Sequence, residues 1–513
     1  MLCFTAPEGR ATALAAGAAA TAQAAAPHYA RHVPERTLLY ALVEAHYPDF
    51  IARIEAEDRS LPEYVRKEFE QYLRCGVLEH GFLRVVCEQC HAERLVAFSC
   101  KKRGFCPSCG ARRMAESARH LVDEVFGPRP VRQWVLSFPY PLRFLFACKP
   151  DAIGPVLGIV QRVIANWLAD QAGIDRVSAQ CGAVTLIQRF GSALNLNVHF
   201  HMLWLDGVYE EHVEQPQRKP RLRRTRAPTS AQLTQLVGTI ARRVCRHLTR
   251  KGWLEGEEES VFLSDGAASD DGMDALRMSS ITYRIATGAQ AGRKVVTLQT
   301  LPGDAGPLEG DAGKVGGFSL HAGVAAEAHE SQKLEKLCRY ITRPAISEKR
   351  LSISPQGRVR YELKTPWRNG TTHVEWDAVD FIAKLAALVP PPRAHLTRFH
   401  GVFAPNASLR AQLTPSGRGK RPATDAALVE VSANDEPRSP EQKRRAMSWA
   451  QRLKRVFGLD VSTCVHCGGA VRIVASIEEP AAIRAILDHF EKHGAREHAH
   501  YRPAARAPPA EAA

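Results

Sequence analysis

The stretch Asn195-Leu196-Asn197-Val198-His199-Phe200-His201-Met202-Leu203-Trp204-Leu205 alternates with a period of two from Asn197 onward. Successive side chains of a β-strand point to opposite faces. Val198, Phe200, Met202 and Trp204 therefore share an apolar face, and His199 and His201 share the other. Two imidazoles side by side on an apolar strand can hold one divalent ion and leave positions open for a substrate oxygen. A solvent-facing strand could carry the same pair, but here the polar residues Asn195, Asn197, His199 and His201 are grouped on one side. The third ligand would come from a neighbouring strand. Gln188, which leads into the 191–196 connection, is the first candidate, and Asp206 is the second.

Moving outward, residues 131–138 and 184–187 read as further strands. Between them, 153–169 has helical spacing through Val156, Ile159, Val160, Val163, Ile164 and Trp167. A helix is expected over 230–250, and a hairpin over 350–364 turning at Pro355-Gln356-Gly357. A short helix over 331–343 is stopped by Pro344. Leu334, Leu337, Cys338 and Ile341 form its apolar stripe, with Tyr340 off the centre between Arg339 and Arg343. A phenol flanked by cations can approach a phosphodiester, because the cations ease phenolate formation and offset transition-state charge. Ordinary packing at a helix edge would place a tyrosine there as well.

Of the 13 cysteines, six lie between Cys75 and Cys109 and two form Cys464-x2-Cys467. An odd count with tight pairs is a poor disulfide framework and reads as metal binding in a reducing compartment. Cys87-x2-Cys90 and Cys106-x2-Cys109 are expected to close one structural zinc site. Cys75, His80, His91 and Cys100 offer a second set. Cys464 and Cys467 make half a site, with His489, His493, His498 and His500 as candidate partners. Lys101, Lys102, Arg103, Arg112 and Arg113 surround the second knuckle. A basic loop follows later, with Arg218, Lys219, Arg221, Arg223, Arg224 and Arg226.

The chain has 513 residues, 69 Lys+Arg against 54 Asp+Glu, and a net charge of +15. That balance favours an anionic partner, nucleic acid by default. An apolar fraction of 45% rules out wholesale disorder. No uninterrupted run of eighteen apolar residues marks a membrane span. The Ala-rich start lacks the basic and Leu/Val-rich regions of a signal peptide.

The run from Gln188 through Gly191 and Asn195 to His201 resembles the His-hydrophobic-His (HUH) signature of bacterial rolling-circle transposases. More narrowly, it resembles the insertion-sequence ninety-one family and its common-region (ISCR) relatives. Residues 337–344 resemble the catalytic tyrosine motif of that family, and 99–109 its N-terminal zinc-binding domain. His400-Gly401-Val402-Phe403-Ala404-Pro405 and 464–469 also look familial. The resemblance implies an α+β protein. It would have an N-terminal zinc-binding domain, an HUH nuclease domain with an antiparallel sheet and helices on one face, and a small C-terminal zinc-knuckle-like unit. The implied boundaries are a disordered leader 1–36, a zinc-binding DNA-binding domain 37–128, a catalytic domain 129–405, a linker 406–440, a CxxC unit 441–495 and a disordered tail 496–513.

The resemblance further implies that His199, His201 and Gln188 hold Mg²⁺ or Mn²⁺ on the scissile phosphate of single-stranded DNA. Tyr340 would attack the phosphorus, form a 5′-phosphotyrosine and release a 3′-hydroxyl. Zn²⁺ would be structural. Arg339, Arg343 and the basic residues above would contact DNA. The implied partners are DNA ends and target, a second copy of the chain and the host replication machinery, in the bacterial cytoplasm at the nucleoid. Some members of the class carry two tyrosines four residues apart, but here Lys336 stands four before Tyr340, which resembles a single-tyrosine branch. The second cleavage would then use a second protomer's tyrosine or the same tyrosine again. A plasmid replication initiator, a non-catalytic zinc-ribbon DNA-binding protein and a zinc hydrolase are the competing readings.

Overall fold

The computed structural model describes residues 33–210, 220–256, 262–269, 271–301, 312–417, 464 and 466–492. Most of the leader, Arg218, Lys219, His493, His498, His500, the linker beyond 417 and the tail lie outside the described residues.

The Leu196–Leu205 strand lies inside a six-stranded sheet. Across the sheet the order is Ala312–Val315, Phe318–Ala326, Val131–Ser137, Leu196–Leu205, Gly182–Phe190 and Thr397–Gly401. Every neighbouring pair is antiparallel. A central strand is covered on both faces, which is why this one is apolar beyond its alternating set. Phe200, Met202 and Trp204 pack with Trp134 and Leu136 under the helices Ile153–Ala172 and Ser230–Arg250. The second of these helices opens on a capping box, in which Thr229 and Gln232 satisfy each other's backbone N–H groups.

The other face is not left bare. Leu203 and Leu205 pack with Leu334, Leu337, Cys338 and Ile341 of the Ser331–Thr342 helix. Fully burying such aliphatic side chains is worth about 2 kcal/mol each. That burial fixes the helix against the face that carries the histidines. The expected helices on one face are Tyr140–Cys148, Ile153–Ala172 and Ser230–Arg250, and the Ser331–Thr342 helix lies across the other.

Pro150–Ala172 is long and apolar enough to cross a membrane, with a mean hydropathy of 1.4, although its apolar residues are not consecutive. Sixty-one per cent of its eighteen-residue apolar stretch is buried inside the protein. With Ser230–Arg250 it buries the apolar face of the sheet.

The chain before Cys75 does not build a core of its own. Thr37 caps the Leu38–Ala56 helix by accepting from the Tyr40 N–H. Leu39, Val43 and Phe50 of that helix then pack with Tyr361, Val374, Trp376 and Phe381 from far along the sequence. Those partners belong to a second, four-stranded sheet of Val296–Gln299, Thr371–Trp376, Val359–Glu362 and Leu351–Ile353, and to the Ala378–Leu388 helix. The expected hairpin is present, with Leu351 opposite Tyr361 and Gly357 at φ +74° in its turn. A third sheet joins the two ends of the chain: Val471–Ile477 pairs with Phe82–Cys87, which pairs with Glu93–Ala97. The C-terminal segment is thus not a free-standing unit. It completes the N-terminal hairpin.

Candidate active site

His199 and His201 are both buried, and their Nε2 atoms lie 3.1 Å apart. The backbone carbonyl of Asn197 lies 2.9 Å from His199 Nδ1, so that nitrogen donates and Nε2 keeps its lone pair. The Gln133 side-chain amide meets His201 Nδ1 at 2.7 Å from the adjacent strand. The atom facing Nδ1 is the amide nitrogen; with the amide turned over, its oxygen would accept from Nδ1–H and Nε2 would keep its lone pair. Burial, with weaker contributions from nearby arginines, lowers the His199 pKa to about 4. Burial also lowers His201 to about 2, helped by the neighbouring His199 and Arg343. Both rings are therefore neutral at physiological pH. At 3.1 Å one ring can donate to the other in the metal-free site, or both Nε2 atoms can turn lone pairs to one cation. Nitrogens on adjacent positions of a six-coordinate Mg²⁺-sized ion are about 3 Å apart. The pair fits such an ion.

Gln188 lies directly across from His199 in the strand register, and its Nε2 donates to the Ile341 carbonyl at 3.2 Å. With the nitrogen engaged there, its oxygen is the atom suited to a metal. Asp206 is elsewhere. Its two oxygens pair with Arg132 at 2.8 Å, and it follows the far end of the His strand. Five residues at strand rise put it about 16 Å from His201. The second-choice ligand is thereby excluded by geometry.

Tyr340 is 38% exposed, and its ring centroid is 6.2 Å from that of His201. The Arg343 guanidinium and the Lys364 ammonium each lie 4.2 Å from its ring centroid. Arg343 also donates to the Tyr340 carbonyl at 2.6 Å and lies against Phe190. Lys364, which follows the second hairpin strand, carries no sequence signal for this position. Two clefts meet at Phe190 and Arg343. One, of about 400 Å³, includes Tyr340, Arg350, Lys364 and Trp367. The other, of about 340 Å³, includes Lys102, Arg103, Arg113, Gln188 and His395. Together they form a basic channel with aromatic faces beside the phenol.

The cysteines nearest this channel are Cys75, Cys100, Cys106 and Cys109, whose sulfurs all lie within 4.8 Å of one another. Cys109–Cys75 and Cys109–Cys100 are 3.7 and 3.5 Å apart. Sulfurs on a tetrahedral zinc with 2.3 Å bonds are about 3.8 Å apart, so this donor set fits Zn²⁺. Cys106 occupies the N-cap position of the Pro107–His120 helix, and Cys109 lies in its first turn. That helix packs on the Tyr340 helix, where Thr342 Oγ1 donates to the Met114 carbonyl at 3.4 Å.

Residues 182–410 match the Y2_Tnp transposase family, and residues 42–138 match the transposase zinc-binding domain Zn_Tnp_IS91. The chain belongs to the IS91 transposase family. No curated protein and no solved structure matches it. It is a DNA-acting transposase with a zinc-binding N-terminal unit.

The cysteines of the transposase are grouped differently from the sequence expectation. Cys87 and Cys90 do not meet Cys106 and Cys109. Cys87 ends a strand that runs about 17 Å from Phe82, so the hairpin carries its turn away from the Cys75 end. At the open end, Gly76 N–H donates to the Phe98 carbonyl and brings Cys75 beside Cys100. Cys87 and Cys90 instead meet Cys464 and Cys467. His80, His91 and, among the described candidates for the half-site, His489 join neither cluster.

The basic residues also separate. Arg113 donates to the Lys101 and Lys102 carbonyls, Arg103 donates to Ala394, and Arg112 reaches Ser99. These interactions hold the loop on the channel side. Arg221, Arg223, Arg224 and Arg226 lie away from the histidines. Leu222–Arg224 pairs with Gly207–Glu210, beyond the far end of the His strand. Arg223 is bound to Glu210 and Arg224 to Glu327. Arg339 is turned to Glu335, 2.6 Å away.

Proposed function

We propose that this transposase nicks and rejoins single-stranded DNA at element ends through a 5′-phosphotyrosine on Tyr340, as in rolling-circle transposition. The observation that carries the reading is the placement of an exposed phenol beside two buried neutral imidazoles whose Nε2 atoms face each other. His199, His201 and Gln188 would hold Mg²⁺ or Mn²⁺, which supplies Lewis-acid polarisation of the scissile phosphate. Tyr340 Oη forms the new bond to phosphorus and loses its proton to solvent. The bond from phosphorus to the 3′-oxygen breaks, and that oxygen leaves as a hydroxyl after taking up a proton. Arg343 and Lys364 stabilise the developing phenolate and the phosphorane charge. The phosphodiester energy is kept in the tyrosyl ester, so the 3′-hydroxyl of a target strand can reverse the step without ATP, while host replication extends the released end. Phe190 and Trp367 offer stacking faces to unpaired bases.

Tyr340 is the only tyrosine of its helix, so the second cleavage is assigned either to a second copy in a homodimer or to reuse of the freed phenol. The bacterial cytoplasm, on nucleoid DNA, is the setting this chemistry implies.

The test is incubation with single-stranded oligonucleotides from the element ends and Mn²⁺. The wild type is expected to form a covalent adduct, Tyr340→Phe none, and His199→Ala at least 100-fold less. An adduct that persists in Tyr340→Phe overturns the assignment of the nucleophile.

A further inference from the structure

We propose that Cys87, Cys90, Cys464 and Cys467 form a second structural zinc site, a clasp that fastens the C-terminal segment to the N-terminal hairpin. Its two halves are 374 and 380 residues apart in the closest cysteine pairs, Cys90–Cys464 and Cys87–Cys467. The matched zinc-binding region, 42–138, contains only half of it, and Cys464 and Cys467 lie beyond both matched regions.

The geometry points to a metal rather than to disulfides. Cys87–Cys467 and Cys90–Cys464 are each 3.5 Å apart, and all four sulfurs lie within 4.8 Å of one another. Two disulfides would draw the sulfurs into separate pairs at about 2 Å. A single tetrahedral ion needs all four about equally spaced, near 3.8 Å. Each half is a tight turn of the kind that grips one side of such an ion. In the first, Cys87 N–H donates to Ala92 and His91 N–H donates back to Cys87, with His91 at φ +57°. In the second, Gly468 N–H donates to the Cys464 carbonyl, with Gly468 at φ +74°. The His466 and Gly469 N–H groups point at the sulfurs of Cys464 and Cys467, each 3.4 Å away. N–H donors to sulfur favour thiolate, the form that binds metal.

The protein around the site brings the two turns together. Val471–Ile477 pairs with Phe82–Cys87 along the whole strand, from Cys87 opposite Val471 to Phe82 opposite Ile477. Ile483 and Leu487 of the Pro480–Lys492 helix pack on Leu78, Phe82 and Leu95. The turns approach so closely that a Cβ on Gly469 would lie 2.7 Å from the Gln89 side chain. This apolar cluster is small, and four thiolates brought together without a cation would repel. Zinc removes that repulsion and closes the unit. The two ions differ in access. Cys90 and Cys467 are exposed, whereas three ligands of the Cys75 cluster are buried. The clasp ion should therefore leave first.

The experiment uses the full-length chain. Elemental analysis is expected to give two zinc equivalents in wild type and one in Cys464→Ser/Cys467→Ser. Cys87→Ser should lose the same single equivalent, although it lies at the other end of the chain. A chelator should release wild-type zinc in two phases, with the fast phase missing in those variants. A protease site inserted between residues 418 and 463 gives two fragments that should stay together until the fast phase is complete. One zinc in wild type, two in the Cys464/Cys467 variant, a Cys87–Cys467 or Cys90–Cys464 disulfide in the protein as purified, or fragments that stay together after chelation would overturn the proposal. A Cys87→Ser variant that keeps both ions while Cys464→Ser loses one would do so too, since the halves would then serve different sites.

Discussion

At the residue scale, the histidine pair was legible because a period of two assigns faces without any knowledge of neighbours. What orients the pair was not legible. Gln133 belongs to another strand, and only the register that sets Val135 against His201 brings its amide near Nδ1. Its expected role is to fix the His201 tautomer from outside the ligand shell, as partners of metal-bound histidines commonly do. Gln133→Leu should raise the Mn²⁺ concentration for half-maximal adduct formation by about 10- to 100-fold, with the maximal rate less affected. Gln133→Glu keeps an acceptor and should recover most of that loss. If Gln133→Leu folds normally and titrates with Mn²⁺ like the wild type, the amide does not orient the ring. Asp206 shows the converse lesson. Its type suited a ligand, but Arg132, opposite Trp204 on the sheet face away from the histidines, had already claimed it.

At the element scale, the Tyr340 helix was legible in extent and phase, since its apolar stripe and Pro344 bound it from both sides. Its support was not legible, because that support comes from the zinc-binding unit. Gly110 stands in the first turns of the Pro107–His120 helix, where a Cβ would lie 2.6 Å from the Pro344 Cβ. Pro344 follows directly on Arg343, the cation beside the phenol. Gly110→Ala should therefore push the 340–344 segment outward. Overpacking of this kind costs about 1–3 kcal/mol, and small misplacements of reacting groups can cost about 100-fold in rate. We expect adduct formation to fall by about 10- to 100-fold with both zinc equivalents retained, measured on the same preparation. Full activity in Gly110→Ala would show that the contact relaxes harmlessly. The cysteine grouping failed at this same scale. Spacing describes single turns well, but the hairpin between them decides which turns can meet.

At the scale of the whole molecule, the sequence suggested separate domains, whereas the N-terminal helices share a core with the second sheet. A buried charge network lies at that junction, around the Asp274–Ile281 helix. The Arg277 side chain is 3% exposed and is held by Asp271 at 2.6 Å and Asp274 at 3.2 Å, with a further bond to the Tyr64 hydroxyl at 3.1 Å. Removing one partner of a buried pair typically costs about 3–5 kcal/mol, because the other charge is left uncompensated. Arg277→Ala should lose stability on that order in chemical denaturation. Burial alone would raise the Asp271 pKa, but hydrogen bonds from Arg277 and Ser269 and the Arg277 charge outweigh it and hold the carboxyl at about 2. An unfolded aspartate titrates near about 4. Because the folded value is the lower one, the unfolded state binds more protons in between. The contribution of Asp271 is therefore complete above about pH 4 and is lost as pH falls towards 2. Asp271→Asn should be less stable than wild type at pH 6, and the gap should narrow steadily below pH 4. A gap that stays constant from pH 6 to pH 3 would mean that the ion pair does not secure this junction, and that the shared apolar core holds it alone.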